Sequence, residues 1–292
     1  MVNCFEQAKR VVVKVGTSTL TYDTGLINIR HLEKLVKTLS DLKNSGKDVI
    51  LVSSGAIGVG VGKLGLKERP QDTPSKQAAA SVGQSALSAG YARAFAQHGI
   101  TTSLVLLTRR DTADRTAYLH ARDTLSRLLE MGVVPIVNEN DTVSVEQIRF
   151  GDNDTLAALV ACLVEAELMV ILSDIDGLYD ANPMKVEGAH LIERVERIDE
   201  SIMGVAGDAG SVVGSGGMIT KIKAARVLMA AGIPMTICLG HAPDAIVHAA
   251  FGDRIGTRFA ASERPHEITP RKLWIALGDS ARGALIVDDG AK

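Results

Sequence analysis

The chain has no long apolar run and no sign of a secretion signal. None of its apolar stretches approaches the roughly 18 to 20 residues that a membrane-spanning helix requires. Near the amino terminus, Glu6 and Lys9 stand where a signal peptide would need its apolar core. We therefore expect a cytoplasmic protein that does not associate with membranes.

Cysteine is scarce, and histidine is not clustered. The three cysteines, Cys4, Cys162 and Cys238, are an odd number, lie far apart and form no C-x-x-C spacing. This spacing argues against a disulfide framework and is typical of a reducing compartment. The seven histidines show no H-x-x-x-H or similar spacing. No structural zinc site is therefore expected.

The chain also lacks an excess of either charge. It has 32 Lys and Arg residues against 34 Asp and Glu, which gives a net charge of −2. This balance argues against general electrostatic attraction to nucleic acid or to anionic membranes. Its 292 residues, of which 46% are hydrophobic, are enough for one large domain and a small appendage.

Short apolar runs alternate with amphipathic stretches. The runs cover residues 11–15, 49–52, 104–107, 133–137, 169–172 and 236–239. Continuous β-branched and aliphatic runs of this length are typical of strands buried on both faces of a parallel sheet. Four glycines precede a run, where the left-handed conformation that ends a helix is expected: Gly46, Gly99, Gly132 and Gly232. The pattern predicts a three-layer, doubly wound α/β sandwich with a mainly parallel central sheet.

Two segments depart from this alternation. Residues 142–150 alternate loosely between apolar and polar side chains, which predicts a hairpin beside the main sheet. From Pro265 onward the chain carries a second proline, Trp274 and an apolar run at 285–287. The roughly 22 residues after Pro270 are too few to bury a core of their own. We predict a main domain at 1–262, followed at 263–292 by a linker and the start of a small β domain, or an arm that packs on the main domain.

Two lysines lie beside small-residue turns. Lys14 is at the end of the first apolar run and is followed by Gly-Thr-Ser, which places a cation beside exposed backbone N–H groups. Lys221 ends the segment GSGGMITK, where a glycine-rich loop leads into a helix N-terminus. Neither segment is a Walker A loop, because G-x-x-x-x-G-K-[ST] is absent. Either lysine alone is equally consistent with a solvent-exposed side chain, whereas the two together favour a phosphate site.

A further glycine-rich turn, SSGAIGVGVG, occupies residues 53–62 directly after the second apolar run. Ligands bind at the carboxyl ends of strands in open α/β sheets, so this turn is a candidate binding loop. Its G-x-G-x-G spacing differs from the dinucleotide-binding fingerprint. Close packing of a helix against its strand explains the glycines equally well.

Acidic and amide side chains cluster in the turns NEND at 138–141 and GDNDT at 151–155. Helix capping accounts for one or two of them but not for the excess. Carboxylate and amide oxygens suit the ammonium group of a free amino acid, and one acid is needed to arrange cations at phosphates. Magnesium needs few protein ligands, because it keeps waters and phosphate oxygens.

Ser173 and Asp174 follow the fifth apolar run. They are either contacts to a nucleotide or members of a polar turn closed by Gly177.

Eight motifs in series, from residue 11 to about 240, resemble the amino acid kinase family, and within it the glutamate kinases. They are VVVKVGTSTL, VSSGAIGVG, SKQAAASVGQ, LLTRRDTADR with LHARDTL, IVNENDTVSV, FGDNDTLAAL, LSDIDGLYDANP and GSGGMITKIKAA. The segment RKLWIALG at 271–278 resembles the start of the PUA domain that many of these kinases carry, here cut short.

The resemblance implies a three-layer kinase fold, with ATP and Mg²⁺ as cofactors and glutamate as the acceptor of the phosphoryl group. It implies a catalytic set in which Asp154 holds both lysines: Lys14, Lys221 and Asp154. It implies glutamate-binding residues: Ser54, Gly55, Asn138, Asp141, Asp152 and Asn153. It implies ATP-binding residues: Lys14, Ser173, Asp174, Ser215, Gly216, Gly217, Met218, Ile219, Thr220 and Lys221. A carboxylate is already a nucleophile at neutral pH, so no general base is expected.

The resemblance also implies a place in proline biosynthesis, proline as a feedback inhibitor, and a homo-oligomer, either a dimer or a tetramer. Three alternatives stay open. Another family member would act on acetylglutamate, aspartate or carbamate, although an acetylated nitrogen carries no charge and has less need of Asp141. A sensor without turnover would tolerate loss of Lys14, Lys221 or Asp154, yet all three are present. An RNA-binding role would depend on the PUA-like segment alone. Which of Asp152 and Asp154 organises phosphoryl transfer also stays open.

Overall fold

An eight-stranded, mostly parallel sheet lies at the centre of the computed structural model, which describes residues 8–22, 24–144, 152–208 and 217–262. The strands are β1 (Arg10–Val15), β2 (Asp48–Ser53), β3 (Thr102–Leu107), β4 (Val134–Glu139), β5 (Leu168–Ser173), β6 (Arg194–Val195), β7 (Met235–Leu239) and β8 (Thr257–Phe259). Their order is β3-β4-β2-β1-β5-β7-β8-β6. Neighbouring strands are parallel except β7 and β8.

Helices connect the strands. In the described ranges they are α1 (Thr17–Leu20), α2 (Ile29–Asn44), α3 (Ala56–Leu64), α4 (Thr73–Ala96), α5 (Arg109–Ala113), α6 (Arg115–Glu130), α7 (Asn153–Leu163), α8 (Glu200–Asp208), α9 (Met218–Ala230) and α10 (Ala245–Ala250). Among these helices there is none with the length and apolar character needed to cross a bilayer.

The interior strands of the sheet are buried on both faces. Successive residues of β1 point to opposite sides, so Val12 belongs to a core built with α7 and α9, and Val13 to a second core built with α2 and α4. Both side chains have no exposed surface. This double burial is the physical reason for the continuous apolar runs of the interior strands, and the predicted three-layer sandwich is confirmed. The run at 104–107 was expected to be buried on both faces as well, which is wrong, because it forms the edge strand β3 and Leu104 is 40% exposed.

The six apolar runs correspond to β1–β5 and β7, and the four predicted glycines follow the helices they were expected to end. Their φ angles, all in the left-handed region, are 91° at Gly46, 71° at Gly99, 77° at Gly132 and 80° at Gly232. The short strands β6 and β8 were not predicted. Most of the predicted hairpin (145–150) and all of the segment 263–292 lie outside the described residues.

Within the 53–62 segment, most of which forms α3, Gly60 lies at a close contact between two helices. A Cβ on Gly60 would lie 1.8 Å from the carbonyl oxygen of Ala79 in α4, and one on Gly83 would lie 1.8 Å from that of Ala56 in α3. A Cβ on Gly62 would lie 2.8 Å from the backbone of Gly25. Close packing of a helix against its strand, one of the two explanations left open for these glycines, does not account for Gly60 and Gly62, because their close neighbours are α4 and the turn before α2.

Candidate active site

The candidate site lies at the carboxyl ends of the central strands. Lys14 is near the end of β1, Ser54 and Gly55 follow β2, Asn138 is the penultimate residue of β4, and Ser173 ends β5. Parallel pairing sets these ends side by side, with Lys14 opposite Val52 of β2 and Ile171 of β5. Four chain segments thus reach one edge of the sheet, where open α/β sheets bind ligands.

Asp154 lies between the two lysines. Its Oδ1 is 2.7 Å from Nζ of Lys14, and its Oδ2 is 3.3 Å from Nζ of Lys221. Thr220 Oγ1 donates a hydrogen bond to the same Oδ2 at 2.8 Å. The Asp154 side chain has no exposed surface, and the two lysine side chains are 8% and 6% exposed. One carboxylate therefore holds two ammonium groups close together in a nearly dry environment.

The charges around Asp154 keep it ionised. Burial by itself would raise the pKa of this carboxyl, but Lys14, Lys221 and the hydrogen bond from Thr220 together lower the pKa well below its usual range. Two ammonium groups held side by side favour a ligand that carries negative charge, such as a phosphate.

Asp152 is close to this cluster but has a different environment. Its carboxylate caps α7 by accepting hydrogen bonds from the N–H of Thr155 at 2.8 Å and from its hydroxyl at 3.2 Å. Burial, followed by the negative charge of Asp154, raises the pKa of Asp152 to about 6. Of the two acids, Asp154 contacts both lysines, whereas Asp152 is a cap whose negative charge is destabilised by its surroundings.

Asn153, the residue before Asp154, joins three chain segments. Its Nδ2 donates to Oγ of Ser54 at 2.8 Å, to Oδ1 of Asn138 at 2.9 Å and to the carbonyl oxygen of Ser53 at 3.2 Å. Four of the predicted glutamate-binding residues, Ser54, Asn138, Asp152 and Asn153, are thus adjacent to the lysine cluster through the first turn of α7. Gly55, with φ of 101°, starts α3 beside them. Asp141 is half-buried in the turn after β4.

Three α4 residues outside the predicted set also reach this region. Gln84 Oε1 accepts from Nδ2 of Asn138 at 2.7 Å. Tyr91 and Ser53 are joined through their hydroxyl groups at 3.0 Å, and Gln77 Nε2 donates to the carbonyl oxygen of Ser144 at 3.1 Å. Their seven-residue spacing on a helix rich in Ala, Gly and Ser was a visible signal. The side-chain partners were not visible, because they lie in other parts of the chain.

The predicted nucleotide-binding residues lie on the other side of the lysine cluster. Ser173 is buried and donates from Oγ to Oδ1 of exposed Asp174 at 3.0 Å. Gly217 is the N-cap of α9 and makes no side-chain hydrogen bond there, so the positive dipole end of the helix at Met218 and Ile219 favours a ligand with negative charge. The N–H of Thr220 donates to the carbonyl oxygen of Gly217 at 3.2 Å. Ser215 and Gly216 lie outside the described residues.

The described ranges contain no group of three His, Cys, Asp or Glu side chains that is ready to hold a metal ion. A cation at this site would need further ligands from a bound molecule. Phosphate oxygens and water are the ligands that Mg²⁺ usually keeps in nucleotide sites.

Comparison with known proteins gives consistent results. The sequence model of the amino acid kinase family matches residues 9–238. The chain is 49% identical over 282 residues to the glutamate 5-kinase of Thermoanaerobacter sp. (strain X514), which covers 97% of this chain and 75% of the relative. It is 50% identical over 285 residues to the glutamate 5-kinase of Moorella thermoacetica, a match that covers 98% of this chain and 75% of the relative. It is also 50% identical over 256 residues to the glutamate 5-kinase of Clostridium tetani, a match that covers 88% of this chain and 96% of the relative.

Proposed function

The chain belongs to the amino acid kinase family, and from that premise we propose that it is a glutamate 5-kinase. It transfers the γ-phosphoryl group of ATP to the side-chain carboxylate of L-glutamate and forms L-glutamyl 5-phosphate, the first step of proline biosynthesis. The observation that carries this function is the buried Asp154 between Lys14 and Lys221 at the carboxyl edge of the sheet.

The two lysines neutralise the phosphoryl group in transit. A phosphoryl transfer of this kind spreads charge over the oxygens of the γ-phosphorus, and cations fixed in advance stabilise that charge without reorganisation. Asp154 holds the two lysines in position, because it pairs with both ammonium groups and itself accepts a hydrogen bond from Thr220. In this proposal Asp154, rather than Asp152, organises the transfer site.

Glutamate binds beside α7, at Ser54, Gly55, Asn138, Asp141, Asp152 and Asn153. Hydrogen-bond polarity supports complementary roles within this set. Ser54 Oγ accepts from Asn153, so its own proton is free to be donated to a carboxylate. Asn153 uses its Nδ2 for protein partners, so its Oδ1 is left to accept from the substrate ammonium. Asp141 adds negative charge for the same ammonium group.

ATP binds at the ends of β5 and β7 and at the N-terminus of α9. Ser173 and Asp174 contact the base or ribose. The segment from Ser215 and Gly216 through Gly217, Met218, Ile219, Thr220 and Lys221 surrounds the phosphates, and Lys14 approaches them from β1. Support comes from the uncapped start of α9, whose N–H groups and positive dipole end favour phosphate.

We propose Mg²⁺ as the cation that accompanies ATP, held mainly by phosphate oxygens and water. When bound, it supplies further positive charge to the phosphates. Asp152 fits the neighbourhood of such a cation, because burial and Asp154 raise its pKa to about 6 and a nearby positive charge would relieve this destabilisation. The chain's own residues orient the carboxylate of glutamate for in-line attack, and no general base is required because that carboxylate is already ionised.

Several broader features belong to the same proposal. The catalytic domain is residues 1–262, and 263–292 is a linker with the start of a PUA-like domain. The Clostridium tetani relative supports this division, because a 256-residue match covers 96% of it.

We also propose a cytoplasmic location, where ATP is supplied and where free thiols such as those of Cys162 and Cys238 persist. A homo-oligomer and feedback inhibition by proline complete the proposal.

The direct test is ATP-dependent acyl phosphate formation, trapped with hydroxylamine in the presence of Mg²⁺. Glutamate, acetylglutamate and aspartate are compared at equal concentration. A signal with glutamate alone is expected. A signal only with another acid would show that this acid, and not glutamate, is the substrate. Folded protein that gives no signal with any of the three acids would contradict the kinase function and favour a sensor.

A further inference from the structure

One face of α4 carries three polar side chains at seven-residue intervals: Gln77, Gln84 and Tyr91. Residues seven apart lie on the same side of a helix with 3.6 residues per turn. Each contacts a different segment around the candidate site, namely the loop after β4, the end of β4 and the end of β2. The middle residue, Gln84, connects to the amides of the glutamate subsite.

The polarity of that connection is fixed by the backbone. The carbonyl oxygen of Ser53 can only accept a hydrogen bond, and it lies 3.2 Å from Asn153. The side-chain atom of Asn153 that faces it must therefore be Nδ2. The same Nδ2 lies 2.9 Å from Asn138, which must present an acceptor, its Oδ1.

Gln84 completes this chain of amides. Because Oδ1 of Asn138 faces Asn153, its Nδ2 faces α4, where Gln84 Oε1 accepts at 2.7 Å. Asn138 is 2% exposed, so water cannot easily replace this acceptor. Without it, the buried N–H of Asn138 would lose its partner and the amide could rotate to seek another.

We propose that Gln84 is a positioning residue of the glutamate subsite, one that fixes the amide orientation of Asn138 and, through it, of Asn153. The inference rests on the proposed function. Its consequence is that Oδ1 of Asn153 stays directed away from the donors in the described part of the chain and available to the ammonium group of the substrate. Gln84 acts on substrate binding and not on the lysines that take part in phosphoryl transfer.

The test compares two substitutions that separate shape from hydrogen bonding. Gln84→Met keeps the length of the side chain and removes the acceptor, whereas Gln84→Glu keeps an acceptor oxygen. We expect Gln84→Met to raise KM for glutamate about tenfold, the effect of one lost hydrogen bond to a buried group, with kcat and KM for ATP changed less than about twofold. The KM of Gln84→Glu for glutamate should be closer to that of the unaltered protein. Gln97→Met, an exposed position at the end of the same helix, is the matched control.

Glutarate, which lacks the ammonium group, isolates the contact involved. Its inhibition constant against glutamate should change less than about twofold in Gln84→Met. An unchanged KM for glutamate, or a parallel change in kcat and both KM values, would overturn the positioning role. Equal weakening of glutarate would overturn the link to the ammonium group.

Failure of the proposed kinase function can be distinguished from failure of the proposed role of Gln84. Unaltered protein that forms no acyl phosphate from glutamate contradicts the kinase activity, while the glutamate-induced rise in unfolding temperature still tests Gln84. In that assay a rise as large in Gln84→Met as in the unaltered protein contradicts the inference, and a smaller rise supports it.

Discussion

At the residue scale, the central feature is a buried anion shared by two cations. Lys14 belongs to the innermost part of the sheet, and Lys221 belongs to the first turn of α9. Asp154 connects these two lysines, which are 207 positions apart in sequence. Because all three side chains are nearly dry, their mutual attraction is screened much less than that of a surface pair.

Replacing Lys221 by Met should lower kcat at least a hundredfold. The substitution keeps most of the side-chain volume and removes one of the two positive charges proposed to stabilise the transferring phosphoryl group. Asp154 loses one partner, so the unfolding temperature should also fall. Steady-state kinetics are therefore measured well below that temperature. Lys223→Met, in the same helix, should retain normal turnover, and equal kcat values for the two variants would contradict the role of Lys221.

Replacing Asp152 by Asn should stabilise the protein near neutral pH. The folded-state pKa of Asp152 is raised to about 6, so this group favours the folded state fully below its ordinary pKa and loses that contribution as pH rises through about 6. Asn keeps an oxygen to cap Thr155 and has no charge to bury. The variant should match the unaltered protein near pH 4 and exceed it by about 2–3 kcal/mol near pH 8.

Urea unfolding at a series of pH values measures this difference. Stability curves that stay parallel from pH 4 to pH 8 would show that the pKa of Asp152 is not raised in the folded protein. Asp199→Asn is the control, because that exposed carboxyl has a lowered pKa and should change the pH dependence in the opposite direction.

Residue identity allowed the charged part of the site to be predicted, but not its hydrogen-bonding partners. Lys14 is identifiable because a charged side chain at the end of an apolar strand indicates a partner or a ligand of opposite charge. Gln84 lies in the motif SKQAAASVGQ, but its role is not identifiable from sequence, because its partner Asn138 is 54 positions away and a helical glutamine is ordinarily a surface residue. Only packing of α4 against the ends of β2 and β4 gives it a role.

At the element scale, α3 and α4 are in contact through their backbones. Gly60 and Gly83 leave no room for a Cβ on either side of the contact. Ala56, which Gly83 touches, is the first residue of α3 and directly follows Ser54 and Gly55. The closeness of the two helices therefore sets the position of a loop proposed to bind glutamate.

Gly83→Ala should destabilise the protein by about 2–3 kcal/mol, because the new methyl group would overlap the carbonyl oxygen of Ala56. Gly90→Ala is a close control within the same helix. There the Cβ meets only Leu32 Cδ1 at 3.7 Å, and replacing a helical glycine should stabilise by up to about 1 kcal/mol. Urea unfolding of both variants gives the comparison. A similar stability for the two would show that the α3–α4 contact is not tight.

Elements defined by their own composition were predictable, and those defined by their neighbours were not. The interior strands are apolar on both faces, so their sequences mark them. The strand β8 contains Thr257, Arg258 and Phe259 and exists because it pairs antiparallel with β7 and parallel with the two-residue β6. No local pattern distinguishes such short strands from loops.

At the scale of the whole molecule, the sheet ends close to the predicted domain boundary. Phe259 in β8 has no exposed surface, and the backbone N–H of Ser262 donates to the carbonyl oxygen of Met229 in α9 at 3.0 Å. These contacts tie the chain to the core as far as residue 262. Every described residue proposed for catalysis precedes this point.

A chain ending after Ser262 should fold cooperatively and keep the kcat and both KM values of the full chain within about threefold. The reason is that β8 and its contacts to β7 and α9 are retained, and so is every residue of the proposed site. A chain ending after Gly252 provides the contrast, because it lacks β8 and the buried side chain of Phe259, whose removal from a core costs about 3–5 kcal/mol. Thermal unfolding and hydroxylamine trapping are measured on all three chains. If the chain ending at Ser262 folds but loses activity, then residues 263–292 contribute to the site and the catalytic domain extends beyond 262. If it fails to fold, the boundary itself is misplaced.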